Sequence, residues 1–223
     1  MAIANDGGDR SNCVVCSSDA GSVESSRYFH SRRTVLEMLR DRGYDVPDSE
    51  LTRSLPEFRS IFGEKPNHES LTIRVSLLSD PSNKVLVCFM GTTDIIRKET
   101  IRALHIDIAE KERLNRLILI VQSKMTAYAQ KYLDASPFKV EILNINDLLV
   151  NITKHVMQPK YQLLTADEKQ ALLMKHSLEE KQLPHMLKAD AIARYYGLEK
   201  GQVIKITNNG ELVDSVVSYR CVV

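Results

Sequence analysis

The sequence predicts an α/β domain followed by a small α+β domain, and two observations carry that prediction. Between residues 71 and 145 apolar strand-like runs alternate with helix-like segments, the pattern of an α/β layer with some parallel strand pairing. Past residue 150 capping signals, a glycine-stopped short helix and two closely spaced strand candidates replace that alternation. The boundaries that follow are 1–24 for a disordered tail, 25–147 for the α/β domain and 148–223 for the α+β domain.

The tail is rich in Ser, Gly, Asn and Asp and has no hydrophobic period. It is acidic, with Asp6, Asp9, Asp19 and Glu24 against Arg10. From Ser25 onward, Tyr28, Val35, Leu36 and Leu39 recur near three-to-four spacing and predict a helix that Gly43 ends. A second short helix is expected over "SELTRSLPEFRSIFG", stopping at Gly63. The period then shifts to two. "LTIRVSLL" (71–78) and "KVLVCF" (84–89), separated by Asp80, Pro81, Ser82 and Asn83, read as a hairpin. A helix over "ETIRALHIDIAEKE", the apolar strand "RLILIVQ" (116–122), a helix over "MTAYAQKYLDAS" and the strand "FKVEILNI" (138–145) complete the α/β domain.

In the second domain, Thr165 to Glu168 ("TADE") is a capping box, in which the Thr165 hydroxyl accepts from the Glu168 N–H and the Glu168 carboxylate returns to the cap. A helix to about His176 follows. "SLEE", from Ser177, repeats the signal, and Pro184 closes that turn. "KADAIARYYG" predicts one more short helix stopped at Gly197, and the strands "QVIKI" and "SVVSYRCVV" flank the polar turn "TNNGE". A unit of this size lies near the lower limit for an independently stable core, so a partner surface would help it.

Composition limits what the chain can do. Thirty Lys and Arg against 29 Asp and Glu give a formal charge of +1, so no overall field pulls it to nucleic acid or anionic lipid. Any nucleic-acid contact has to be local. No apolar run approaches the roughly 18 residues needed to span a bilayer, and the start lacks the regions of a signal peptide. The expectation is a soluble intracellular protein without a membrane partner. Cys13 and Cys16 have the spacing of half a zinc site, but Cys88 and Cys221 lie singly in apolar strand-like runs and supply no second pair. The six histidines are dispersed without metal-ligand spacing, so neither a metal nor another cofactor is expected.

The sequence has no phosphate-binding G-x-x-x-x-G-K-[ST], no G-x-G-x-x-G after a strand, no G-x-S-x-G and no H-E-x-x-H. A metal-dependent nuclease would fit the α/β pattern, but it needs an acidic residue two before a lysine on a strand. The strands lack that arrangement. Asp80 and Glu141 are isolated, and Glu110 and Glu112 flank Lys111 at a helix end. Local basic groups offer a binding alternative. Arg97 and Lys98 in "IIRKET" and Lys124 and Lys131 in "QSKMTAYAQKY", with Tyr128 and Tyr132 between, make phosphate contacts if both segments face one side. The alternative is a solvated loop and helix face.

The second domain supports more than a fold. "LLVNITKH", "EEKQLP" and "ARYYGLEKGQVIKI" resemble "LINITEH", "QLPRI" and "ARYFGIKRGQVVKI" of the fifth subunit of eukaryotic nuclear RNA polymerases, whose C-terminal domain is the counterpart of a small archaeal polymerase subunit. "SRRTVLEMLRDRGYDV" and "EFRSIFGEKP" match that family's opening helices, so the resemblance covers essentially everything after the tail. It implies a non-catalytic nuclear subunit that partners the largest and other polymerase subunits. The first domain would form the lower jaw near downstream duplex DNA on a core like that of restriction endonucleases, without their active site. The second would dock on the largest subunit through Tyr195, Tyr196, Gly197, Gly201, Val203, Ile204 and Ile206. DNA-proximal positions would be Arg97, Lys98, Lys124, Thr126 and Tyr128, making weak phosphate contacts.

Departures from the shared subunit narrow the resemblance. The family's "TPSA" loop is Thr126, Ala127, Tyr128, Ala129 here, "FFPEEPKVG" is replaced by "CFMGTTDII", Ala191 stands for a proline, and "SETAGRY" is replaced around "NNGELVDSVV". Lost prolines leave these loops less restricted. The set resembles the plant branch specific to RNA polymerase V, which implies noncoding transcription for RNA-directed DNA methylation and gene silencing. A subunit shared by polymerases I, II and III is the alternative, and a metal-dependent nuclease a remote one.

Overall fold

The computed structural model describes residues 22–91, 95–111, 114–208 and 216–223. Cys13 and Cys16, most of the tail, Glu112 and the tip of the "TNNGE" turn therefore lie outside the described residues.

Helix α1 (Val23–Asp41) begins where the Ser22 hydroxyl accepts from the Glu24 N–H and ends before Gly43, whose φ of 88° permits the left-handed turn that stops it. The segment expected as one helix is two, α2 (Asp48–Thr52) and α3 (Leu55–Phe62). The cause is local: Ser54 forms a capping box with Glu57, and Pro56, which has no N–H to give a preceding turn, fits only the first turn of a new helix.

Strands β1 (Ile73–Ser76) and β2 (Lys84–Phe89) form the expected antiparallel pair. Helix α4 (Lys98–Lys111) leads to β3 (Arg116–Val121), and α5 (Ala127–Asp134) leads to β4 (Lys139–Asn144). Both crossovers join parallel strands in the order β1-β2-β3-β4. Because both step the same way along the sheet, the shared handedness of such connections puts α4 and α5 on one face. Strand alternation then sorts the side chains. Val85, Val87, Phe89, Ile118 and Ile120 pack with α1, while Leu86, Cys88, Leu117, Leu119 and Val121 pack beneath α4 and α5. Burial on both faces is why these strands read as continuous apolar runs. Each such side chain contributes about 1.5–3 kcal/mol.

Two 3₁₀ turns, Ile145–Leu148 and Ile152–Lys154, connect to a second four-stranded sheet. Its strands are β5 (Lys160–Leu163), β6 (His185–Met186), β7 (Val203–Asn208) and β8 (Val216–Val222), in the order β5-β7-β8-β6. All pairs are antiparallel except β6 with β8. Helix α6 (Ala166–His176) has the expected Thr165–Glu168 capping box, and α7 (Ala191–Tyr196) starts at the Asp190 cap. The "SLEE" reading needs correction. Ser177 does not start a helix; at φ 51° it is the left-handed cap that ends α6, and the next box joins Glu179 to Gln182 around a 3₁₀ turn. No helix among the described residues is long and apolar enough to cross a membrane.

Candidate functional site

The two basic segments singled out in the sequence meet at the carboxyl edge of the parallel strands, the side on which open α/β sheets bind ligands. A parallel bridge pairs Ile96 with Met125. The Ile96 N–H donates to the Lys124 carbonyl at 3.1 Å and the Thr126 N–H to the Ile96 carbonyl at 3.1 Å. Ile96 is buried in the layer under α4 and α5, and so fixes the loop that carries Arg97. Arg97, Lys98, Lys124 and Lys131 are all exposed, and Tyr128 is 78% exposed. The Lys98 ammonium stands 5.5 Å from the centre of the Tyr132 ring, a cation–π distance. Thr126 has a structural task there: its hydroxyl accepts from the Ala129 N–H at 3.2 Å, capping α5, and lies 3.3 Å from the Ile96 carbonyl. The edge thus presents exposed cations on a fixed backbone, one of them over a tyrosine ring, a form suited to phosphates.

The residues expected to dock on a partner are placed differently. Val203, Ile204 and Ile206 are buried inside the second domain, and Tyr195 is buried against the core of the first. Tyr196 is half-buried between the two cores. Their apolar character reflects internal packing, so any docking through this region uses the surface they support. Gly201, at φ 85°, makes the turn into β7, and its carbonyl accepts from the Lys169 ammonium at 2.7 Å.

Helix α7 is instead the fastening between the domains. The Arg42 guanidinium, just past the end of α1, donates to the carbonyl of Tyr195 (2.8 Å) and to that of Arg194 (2.7 Å), which also accepts from the Gly197 N–H, at a helix C-terminus where carbonyls lack the usual internal donors. It also donates to both Glu141 oxygens, at 3.2 and 2.9 Å, while Arg116 takes the same carboxylate from β3. Gly197 lets the chain pass these guanidiniums: its φ is 62°, and a Cβ there would lie 2.6 Å from Arg116 Nη1 and 2.9 Å from Arg42 Cζ. The Tyr195 hydroxyl donates to Asp41 at 2.7 Å and accepts from Asn151 at 3.2 Å; Asn151 also donates to Glu37 at 2.8 Å. Lys154 pairs with Glu37, Lys139 with Glu199, and Arg194 with Asp147 at 3.0 Å.

These surroundings move proton affinities. Burial pushes the Tyr195 phenol well above its usual range. Burial alone would raise the Glu37 carboxyl, but hydrogen bonds from Asn151 and Lys154 with the Lys154 charge outweigh it and hold Glu37 below its usual value. The hydrogen bond from Lys139 lowers Glu199. Glu141, the one strand carboxylate considered for metal chemistry, is engaged by two arginines, and Asp80 accepts from Ser82 in the hairpin turn. Among the described residues no three His, Cys, Asp or Glu side chains gather as a metal site.

The second domain also exposes large apolar side chains that the sequence reading passed over, including Val156, Met157, Met174 and Leu187. Val156 and Met157 lie in "KHVMQPK", overlapping the end of "LLVNITKH", but a short run without periodicity gives no sign of which way its side chains face.

Two cores joined through one helix, with a basic edge on one and bare apolar side chains on the other, define a two-domain assembly subunit. Comparison with known proteins supplies its family. Residues 22–108 match "RNA polymerase Rpb5, N-terminal domain" and residues 150–222 match "RNA polymerase Rpb5, C-terminal domain". The chain belongs to the Rpb5 family of RNA polymerase subunits. It is 53% identical over 215 residues to DNA-directed RNA polymerase V subunit 5C of Arabidopsis thaliana, covering 96% of this chain and 92% of that one. It is 47% identical over 218 residues to subunit 5A of the same plant, covering 96% and 98%. With DNA-directed RNA polymerases I, II, and III subunit RPABC1 of Caenorhabditis briggsae it shares 37% over 208 residues, covering 90% and 98%. The mixed α/β architecture in two domains is that of the family, and the chain is a non-catalytic subunit of a DNA-directed RNA polymerase.

Proposed function

We propose that this chain is the fifth subunit of a plant RNA polymerase V. The carrying observation is the difference in identity, 53% and 47% to polymerase V subunits against 37% to a subunit shared by polymerases I, II and III. On this reading it acts in the nucleus, in noncoding transcription that guides DNA methylation and silencing. Purification of the tagged chain from plant nuclei, with the recovered largest subunit identified by mass spectrometry, tests it. Recovery of the polymerase V largest subunit supports the reading; recovery chiefly of those of polymerases I, II and III makes this a shared subunit.

Within the enzyme, the first domain is the lower jaw, built on a core like that of restriction endonucleases, and its basic edge meets the downstream duplex. The second domain docks on the largest subunit. What supports the jaw is the bridge between Ile96 and Met125 that brings the exposed Arg97, Lys98 and Lys124 to the same edge as the exposed Tyr128. What supports the docking is the exposure of Val156, Met157 and Leu187 on a small domain. Changing Arg97 and Lys124 to Glu in the assembled polymerase is expected to reduce the slope of log affinity for DNA against log salt by about 1 for each phosphate no longer neutralised. An unchanged slope removes these residues from the interface. Met157→Asp with Leu187→Asp is expected to abolish largest-subunit recovery while the isolated chain keeps its unfolding midpoint. Retained recovery places the docking face elsewhere.

A further inference from the structure

Strand β4 is the outer strand of the first sheet, and among the described residues no strand pairs with its free side. In a parallel ladder alternate residues turn both backbone groups to the same neighbour. The Lys139 N–H donates to Asn115 on the β3 side at 3.1 Å, so Val140 and Ile142 direct their N–H and C=O outward. They open into a groove of about 870 Å3 between the end of α5 and the segment around α7. Leu133 and Phe138 give it apolar wall. Its charge is cationic: Arg116, Lys139, Lys188, Arg194 and Lys200 against Asp134, Glu141 and Glu199. Arg116 and Lys139 are taken up by Glu141 and Glu199, and Arg194 by Asp147, whereas Lys188 and Lys200 are exposed and form no ion pair among the described residues, the Lys188 charge acting on Glu199 only from a distance.

We propose that this groove receives an extended acidic segment of a partner protein, which adds a strand to β4. Its backbone pairs with Val140 and Ile142, its apolar residues pack on the partly buried Phe138, and its carboxylates meet Lys188 and Lys200. The charge excess selects the occupant: a neutral or basic strand gains the backbone bonds but not the lysines. The surface differs from both the basic edge and the exposed apolar side chains, so its failure leaves the polymerase assignment standing.

The test uses the full chain and a fluorescent peptide, acetyl-Glu-Val-Glu-Val-Glu-Val-amide, followed by anisotropy, with amide hydrogen exchange read at Val140 and Ile142. Saturable binding that slows exchange at both amides is expected. Ile142→Pro removes an outward N–H while leaving the β3 ladder intact, and should weaken binding about tenfold. Lys188→Glu with Lys200→Glu, at exposed positions that keep the fold, should do the same and flatten the salt dependence. The assignment is overturned by absence of binding at millimolar peptide, by equal binding of the Lys-Val counterpart, or by no effect of the lysine reversals. Binding that appears only after residues 1–21 are removed makes this chain's own acidic start the occupant. A dimer that Ile142→Pro dissociates makes it a second copy. Either result also overturns the partner reading.

Discussion

At Gly197 two constraints coincide. A side chain there would be held in the left-handed region and pressed onto two guanidiniums. Gly197→Ala is expected to cost about 1–3 kcal/mol, seen as a lower denaturant midpoint at unchanged slope. Arg42→Ala leaves the Tyr195 carbonyl without its side-chain donor and the Arg194 carbonyl with only the Gly197 N–H, while Glu141 keeps Arg116. The expected loss is about 2–4 kcal/mol, and Arg42→Lys should recover little of it because one ammonium cannot span a carboxylate and two carbonyls. Glu37 sets a pH dependence. Its folded-state affinity for protons is below the ordinary value of 4.5, so the unfolded chain binds the proton first, and the stability it contributes is present above pH 4.5 and lost as pH falls through the folded value. Denaturant unfolding at neutral pH and near pH 3 should show a smaller difference in Glu37→Gln than in the parent. Tyr195 acts at the other end: a phenol held neutral in the fold ionises first in the unfolded chain, so stability falls as pH rises past 10.

At the scale of elements, what the sequence disclosed followed periodicity and capping. Leu117 to Val121 announced a strand buried on both faces, and the Thr165–Glu168 box announced α6, because both signals are local. Strands β5 and β6 left no such trace. The first is "KYQL" on a sheet edge with mostly exposed side chains, and the second is two residues long. Ser177 misled because the same residue type caps either end of a helix when a left-handed φ is available to it. For Val203, Ile204 and Ile206 hydrophobicity marked burial but not which surface does the burying. The meeting of the Ile96 and Met125 segments needed the sheet, and Arg42 as a fastening had no signal at all, since its partners lie far along the chain. Thr126→Ala tests an element directly. Loss of the α5 cap is expected to lower stability by about 1 kcal/mol, and it should also loosen the loop carrying Arg97, read as faster amide exchange at Ile96 and Thr126.

At the scale of the whole molecule, the two cores share a helix instead of meeting across a simple interface. Tyr195 belongs to the core of the first domain, while Ile192 and Ala193, from the same helix, belong to that of the second. The protein should therefore unfold in a single transition by fluorescence and far-ultraviolet dichroism. Arg42→Ala combined with Tyr195→Phe should separate the probes into two transitions, the second domain melting first because of its size. Coincident curves in that variant would show that the apolar packing of α7 couples the domains without its polar bonds.

The Arg42 fastening also bears on the order in which the protein is made. Arg42 leaves the ribosome early, yet its carboxylate partner lies 99 residues later and its carbonyl partners 152 and 153 residues later. Until almost the entire chain has emerged, α1 is followed by a guanidinium whose two carbonyl acceptors do not yet exist. A protein cut short before α7 keeps the strands of its first domain but presents that half-matched cation and a core face that Tyr195 no longer covers.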